Sequence, residues 1–220
     1  IVGNQQLFIS VCKDLQMIES IGKAVLSLRT TLSMAACQIF KDFLQLFKNE
    51  LDFTILEQMF SILKNLLSTA KKISSTAALQ CLIIMLMNVG FHQKLFHNCL
   101  MLINEKTVSP RICSSILLRI LLIKFTESNL LDNSLIYIEE WLKKGITDAQ
   151  TSVRETMRIT FWYYYKGYTS NAKTFLLSQF SPQLKKAIEL SVPSHLQVYS
   201  NSIGGTAVVS SFTSNSDAST

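Results

Sequence analysis

The sequence predicts an all-α fold in which pairs of helices repeat along the chain and stack into a solenoid. Gly and Pro are rare, at 7 and 3 of 220 residues, whereas a fold of many short strands needs turn residues about every ten positions. Apolar residues recur at steps of three or four, which is the spacing of one helical face. Polar loops of similar sequence separate these segments at intervals of about 40 residues.

Size and composition favour one globular domain. The 220 residues are 48% hydrophobic, which excludes a disordered chain. Charged residues make up only 16%, yet 21 Lys and Arg against 15 Asp and Glu leave a net charge of +6. We therefore expect a mildly basic surface that suits an acidic partner.

The apolar stripes, taken in chain order, predict eight or nine short helices. The first stripe has seven members spaced over three to four residues each, and the later ones repeat that spacing. The stripes are Leu7, Val11, Leu15, Ile18, Ile21, Val25 and Leu28; Ala36, Ile39, Phe40, Phe43, Leu44 and Phe47; Ile55, Met59, Ile62, Leu63 and Leu66; Phe96, Leu100 and Ile103; Ile116, Leu117, Ile120 and Leu121; Ile136, Ile138, Trp141 and Leu142; and Val153, Met157, Phe161 and Tyr164.

One uncharged segment, from Ile73 to Gln93, has the length of a membrane span. It also contains polar residues such as Ser74, Gln80 and Asn88 along its length. The segment is therefore interpreted as a central buried helix rather than a span.

Four helices begin after loops of similar sequence, which indicates an internal repeat. If Met34, Thr76, Arg111 and Arg154 are equivalent, their spacings are 42, 35 and 43 residues. A helix pair of about 40 residues is the period of HEAT or armadillo repeats. Pro110 at a helix start suits this interpretation. An irregular helical bundle is the alternative.

The side chains that could carry chemistry do not form a catalytic pattern. The five cysteines (Cys12, Cys37, Cys81, Cys99 and Cys113) include no CxxC pair and are predicted to be reduced core residues. His92, His97 and Cys99 lack the spacing of a zinc site. The sequence has no phosphate-binding or hydrolase motif, so we expect no enzyme activity, no cofactor and no metal.

An aromatic run after Val153 allows two interpretations. The run Phe161-Trp162-Tyr163-Tyr164-Tyr165, with Tyr168, could stack on bases, as aromatic residues do in basic nucleic-acid-binding proteins. At helical spacing Phe161, Tyr164 and Tyr165 fill a core between the last two repeats instead, and this second interpretation is favoured.

Several segments resemble a known family. They are Lys143-Lys144-Gly145-Ile146-Thr147-Asp148-Ala149, then Val153-Arg154-Glu155-Thr156-Met157-Arg158 with Phe161-Trp162, and then Ser181-Pro182-Gln183-Leu184-Lys185-Lys186-Ala187. Together they resemble the last repeats of a TOG domain of the CLASP (cytoplasmic-linker-associated protein) family of microtubule regulators. The Lys-Lys-Gly-Ile-x-Asp-Ala block is the specific part, and the likeness runs from about Phe8 to about Leu190.

The resemblance implies a paddle of HEAT repeats whose intra-repeat loops bind the αβ-tubulin heterodimer along one edge. The domain would span residues 1–190 and correspond to the second to sixth repeats, with the first repeat missing or upstream. In the family, a loop of that first repeat often carries an exposed tryptophan. Trp141 and Trp162 lie in later helices and do not match it.

The charges of the loops agree with an acidic partner, because basic residues outnumber acidic ones there about two to one. The predicted tubulin-binding residues are Arg29, Thr30, Lys71, Lys72, Lys106, Ser109, Arg111, Thr151 and Arg154. Arg154 has two candidate roles. It could bridge to the neighbouring repeat while Asp148 accepts backbone N–H groups, or it could reach tubulin, as the resemblance implies for the fifth loop.

Residues 191–220 change in character. They are rich in Ser, Thr, Asn and Gly and contain no Lys or Arg, so we expect a linker or tail that is mostly disordered. Leu196, Val198 and Tyr199 could still dock on the last helix.

The sequence thus predicts a non-catalytic module that binds αβ-tubulin or the microtubule lattice and regulates microtubule dynamics and spindle stability. The expected location is the cytoplasm and cytoskeleton, with the mitotic spindle and the nucleus as further sites. The alternative is a HEAT scaffold that binds another protein, such as a kinetochore component, an adaptor or another microtubule-associated protein. We expect neither nucleic acid nor membrane as a partner.

Overall fold

The computed structural model describes residues 7, 10 and 16–200. Eleven α-helices lie in these residues, more than the eight or nine predicted, because the last two are too short to show an apolar stripe. They are α1 (Met17–Val25), α2 (Thr30–Phe47), α3 (Phe53–Leu67), α4 (Lys72–Asn88), α5 (Gln93–Met101), α6 (Val108–Phe125), α7 (Leu135–Ile146), α8 (Thr151–Gly167), α9 (Thr169–Gln179), α10 (Pro182–Glu189) and α11 (Gln197–Ser200). Short 3-10 helices cover Lys48–Glu50, Leu102–Asn104, Asp132–Ser134 and Ser194–Leu196.

The helices form pairs that stack side by side. Helix α1 packs on α2, α3 on α4, α5 on α6 and α7 on α8. The second members of these pairs also contact one another in sequence, α2 with α4, α4 with α6 and α6 with α8. The described residues therefore form an all-α solenoid of HEAT type, and this part of the prediction is confirmed.

The repeat period follows from the starts of the second helices. They begin at Thr30, Lys72, Val108 and Thr151, so successive starts are 42, 36 and 43 residues apart. The fourth residue of each helix is then Ser33, Ser75, Arg111 or Arg154. The predicted equivalence of Met34 and Thr76 with the two arginines is wrong by one residue, because the first two of these helices carry serine rather than arginine at the fourth position.

Aromatic side chains fill the core of the last repeats. Phe161, Tyr164 and Tyr165 are fully buried, so the prediction that they pack in the core is confirmed. Trp162 is also buried and donates its indole N–H to the carbonyl of Ile188 on α10 at 2.9 Å. Helix α10 is thereby fixed to α8.

Two described members of the first predicted stripe do not lie on a buried face. Helix α1 begins after Gln16, whose φ of 50° is left-handed, and it ends at Val25. Leu28 lies beyond it in a loop and is exposed, as is Leu7. The assignment of these two residues to a buried stripe is therefore wrong. Val11 and Leu15, like Cys12, lie outside the described residues.

Two later stripe members are also exposed, namely Ile39 and Ile136. Each lies one or two positions from the buried face of its helix, beside Phe40 or Ile138. A helix advances about 100° per residue, so a neighbour one or two positions from a buried residue points away from the buried face. Strict helical spacing would therefore have excluded Ile39 and Ile136 from the stripes.

Residues 73–88 of the uncharged segment lie in α4, which packs against α2, α3 and α6. The prediction of a central packed helix is confirmed for this part, whereas the helix ends at Asn88 and Gln93 already begins α5. Along residues 16–200 none of the helices is both long enough and apolar enough to cross a membrane.

Ordered structure continues beyond the predicted boundary at Leu190. The 3-10 helix Ser194–Leu196 and α11 follow, and Leu196 is buried. Tyr163 on α8 and His195 form a hydrogen bond of 3.1 Å between the hydroxyl and Nε2. The rest of the predicted tail, residues 201–220, lies outside the described residues.

Candidate functional site

The loops inside the four helix pairs form a continuous row along one edge of the solenoid. We number them loop 1 (residues 26–29), loop 2 (68–71), loop 3 (102–107) and loop 4 (147–150). Lys71 Nζ donates to the carbonyl of Leu28 at 3.0 Å, which joins loop 2 to loop 1. Lys64 at the end of α3 pairs with Glu105 in loop 3 at 2.6 Å. We call this row the loop edge.

Loops 3 and 4 are joined by an almost buried ion pair. Arg111 Nε lies 2.9 Å from Asp148 Oδ2, and its Nη2 donates to Oδ1 at 3.2 Å, so the guanidinium contacts both carboxylate oxygens. The side chains are only 14% and 9% exposed. Arg111 Nη1 also donates to the carbonyls of Glu105 and Lys106 at 3.0 and 2.9 Å. The guanidinium therefore closes its own loop and holds the next one.

Arg154 closes loop 4 in the same way. Its Nη1 donates to the carbonyls of Asp148 and Ala149, both at 2.8 Å, and its Nη2 donates to Thr151 Oγ1 at 2.8 Å. Asp148 Oδ1 accepts the backbone N–H of Gln150 at 2.8 Å, which agrees with the predicted role of this carboxylate. The predicted bridge from Arg154 to the neighbouring repeat is wrong, because Arg111 makes that bridge.

Loops 1 and 2 close without an arginine, since serine occupies the equivalent position. Ser33 Oγ donates to the carbonyl of Val25 at 2.6 Å, and Ser75 Oγ donates to the carbonyl of Lys72 at 3.1 Å. A serine cannot reach the loop carbonyls that an arginine reaches. In loop 1 the carbonyl of Leu28 instead accepts from Lys71 of loop 2.

The nine predicted site residues therefore fall into three groups. Arg29, Thr30, Lys72 and Lys106 are exposed on the loop edge, and their side chains make no hydrogen bond or ion pair among the described residues. Ser109 is half-buried at the start of α6. Lys71, Arg111, Thr151 and Arg154 bond to neighbouring loop atoms. Only the first group is available to a partner without breaking a contact of the fold.

Sequence reasoning missed the apolar side chains of the loop edge. Leu28 is 87% exposed and Ile73, at the start of α4, is 64% exposed. Leu28 continued a helical stripe in the sequence, which placed it in the core. The signal against that interpretation is the polar run Arg29-Thr30-Thr31, which begins a new helix immediately after it.

The described cysteines and His92 serve packing. Cys37, Cys81, Cys99 and Cys113 are free and buried, as predicted for core residues. Burial raises the pKa of the Cys99 and Cys113 thiols. The ring of His92 stacks on Phe53 at a centroid distance of 3.9 Å.

The buried Tyr164 of α8 makes a hydrogen bond to Glu139 of α7, the first helix of the same pair. The hydroxyl of Tyr164 donates to Glu139 Oε1 at 2.6 Å. Burial, with this hydrogen bond, raises the pKa of Tyr164 well above its ordinary value. The carboxylate faces a groove of about 500 Å³ between α7 and α9 that also contains Glu140 and Lys143.

Comparison with known proteins agrees with this architecture. A family model described as CLASP N terminal matches residues 2–189. The chain belongs to this family. The resemblance found in the sequence is thereby confirmed, over most of the predicted domain.

Members of the CLASP N terminal family with similar sequence occur in several fungi. Protein STU1 of Kluyveromyces lactis is 44% identical over 191 residues, which cover 87% of this chain and 14% of that protein. Protein STU1 of Eremothecium gossypii is 41% identical over 87% of this chain and 13% of its own length. Protein STU1 of Debaryomyces hansenii is 33% identical over 80% and 12%. The chain thus spans about one seventh of the relatives it matches.

Proposed function

We propose that this CLASP N terminal domain is a non-catalytic module that binds αβ-tubulin or the microtubule lattice through the loop edge. In this role it contributes to the regulation of microtubule dynamics and spindle stability. Its place is then the cytoskeleton of the cytoplasm and the mitotic spindle.

The observation that carries the proposal is the row of unpaired cations on the loop edge. Arg29 of loop 1, Lys72 at the start of α4 and Lys106 of loop 3 project from successive repeats. Glu105 is neutralised by Lys64, and Asp148 by Arg111. The edge therefore presents net positive charge to solvent, in line with the +6 of the whole chain. Such a surface attracts an acidic protein and speeds its association.

The proposal is tested by gel filtration of the domain with purified αβ-tubulin at about 50 and 150 mM salt, where charge screening differs. The wild-type chain should co-elute with tubulin, more completely at low salt. Arg29→Glu combined with Lys72→Glu should abolish co-elution, because both changes reverse charges that the fold does not use.

A matched control is available at the opposite edge. Lys48 follows α2 and Lys166 lies near the end of α8, and both are exposed. Lys48→Glu combined with Lys166→Glu lowers the net charge by the same amount and should leave co-elution unchanged. If both double variants lost co-elution to the same extent, binding would depend on the net charge of the chain alone. That result would contradict the loop edge as the binding surface. Failure of the wild-type chain to bind would favour a scaffold for another protein.

A further inference from the structure

Leu28 is the most exposed large apolar side chain of the described residues, at 87%. It lies in loop 1 between Ser27 and Arg29, at the start of the loop edge. Ile73, on the first turn of α4, is 64% exposed and lies two residues after Lys71, whose ammonium reaches the Leu28 carbonyl. Two exposed aliphatic side chains therefore lie at or next to the first two loops, among Arg29, Lys71 and Lys72.

The fold does not use the side chain of Leu28. An apolar residue in this position, just before the N-cap, commonly packs against the fourth residue of the helix and fixes the entry of the chain. Here the fourth residue of α2 is Ser33, which is buried and donates to the carbonyl of Val25. Leu28 thus has no apolar partner at this position.

The backbone that carries Leu28 is nevertheless held in place. Its carbonyl accepts from Lys71 Nζ at 3.0 Å, and the N–H of Arg29 donates to Ser27 Oγ at 3.2 Å. A leucine that is fixed and exposed presents its side chain to a partner at a low cost in conformational entropy.

Loops 3 and 4 differ from this arrangement. The residues equivalent to Leu28, which precede the N-caps of α6 and α8, are Lys106 and Ala149. Their carbonyls accept from Arg111 and Arg154, so the arginines are directed into the loops rather than towards solvent. The most exposed aliphatic side chains of the loop edge, Leu28 and Ile73, therefore lie at its first two loops, beside the free cations Arg29 and Lys72.

We propose that Leu28, with Ile73 beside it, is the apolar anchor of the tubulin contact, and that Arg29 and Lys72 form its charged rim. This inference rests on the proposed function and names the part of the loop edge that carries the affinity. Such an anchor requires a matching feature on tubulin, namely an apolar recess bordered by carboxylates. An apolar centre that is shielded from water by a polar rim is the usual organisation of a protein interface.

The test is a titration of fluorescently labelled αβ-tubulin with the full chain and its variants, at about 50 and 150 mM salt. Leu28→Ser should raise the Kd about tenfold, the loss expected for one leucine that stays in water. The loss should be similar at both salt concentrations, because apolar burial is not screened. Arg29→Glu with Lys72→Glu should lose much more at low salt than at high salt.

Two controls make the result specific. Leu190, which directly follows α10, is 79% exposed and lies near the opposite edge, so Leu190→Ser is the same chemical change away from the loop edge and should bind as the wild type does. Leu28→Met keeps the apolar area and should bind within about twofold of the wild type. Both serine variants should keep the wild-type melting temperature to within a degree or two.

Three results would overturn the inference. If Leu28→Ser binds normally while the charge variant does not, the loop edge binds tubulin without an apolar anchor, and the proposed function stands alone. If Leu28→Ser unfolds the domain, the side chain has a role in the fold after all. If the wild-type chain does not bind tubulin, the inference and the proposed function are both wrong.

Discussion

Replacement of Arg111 by alanine tests whether this residue belongs to the scaffold or to the binding surface. The change leaves the Asp148 carboxylate, only 9% exposed, without its ion pair. It also removes the donor of the Glu105 and Lys106 carbonyls in loop 3. Removal of one member of a buried ion pair costs about 3–5 kcal/mol. Because Asp148 keeps its bond from the Gln150 N–H, we expect about 3 kcal/mol for Arg111→Ala.

Urea denaturation followed by circular dichroism measures this loss. With a urea dependence of about 2–3 kcal/mol per M for a domain of this size, the midpoint should fall by roughly 1–1.5 M. Lys106→Ala, which removes an exposed cation from the same loop, should change the free energy of unfolding by less than about 0.5 kcal/mol.

A double-mutant cycle with Asp148→Ala isolates the pair. We expect a coupling energy of about 1.5 kcal/mol or more, since both groups are shielded from solvent. A loss below about 0.5 kcal/mol in Arg111→Ala, accompanied by weaker tubulin binding, would refute the reasoning. Arg111 would then be a contact residue, as the sequence predicted.

Three further predictions concern the same scaffold. Arg154→Ala should lower the free energy of unfolding by about 1–2 kcal/mol, less than Arg111→Ala, because it closes one loop and joins no second one; a larger loss in urea denaturation would contradict this order. Cys99 and Cys113 should resist iodoacetamide until urea unfolds the chain, and rapid labelling in native buffer, mapped by mass spectrometry, would show that they are not core residues. Gly145→Ala places a Cβ 2.7 Å from Met157 Cγ in the core and should cost about 1–3 kcal/mol, whereas an unchanged melting temperature would mean that this contact relaxes freely.

The helical class and the repeat were predictable because both depend on local spacing. Apolar periodicity and scarce Gly and Pro gave the all-α fold, and the similar loops gave a period near 40 residues. The register was one residue off in the first two repeats. Serines at positions 33 and 75 replace the arginines that mark the later repeats, so the sequences of the loops alone could not align the four repeats.

The roles of the site residues were less predictable because they depend on contacts across repeats. The Arg111–Asp148 pair joins residues 37 positions apart, and only the packing of α6 against α8 brings them together. Leu28 was wrongly assigned to the core because a local pattern misled. Its spacing continues the stripe of a helix that in fact ends three residues earlier, at Val25. Local patterns thus identified the loop edge but could not divide its residues between scaffold and contact surface.

Cross-linking of the domain to αβ-tubulin tests the central claim most directly. A reagent that couples lysine amines to carboxylates, followed by mass spectrometry, reports which exposed lysines lie against the acidic partner. The account predicts cross-links from Lys72 and Lys106 on the loop edge, and none above background from Lys48, Lys94 and Lys166 at the opposite edge. Cross-links concentrated at Lys48, Lys94 or Lys166 would place tubulin on the other edge of the solenoid and would contradict the account.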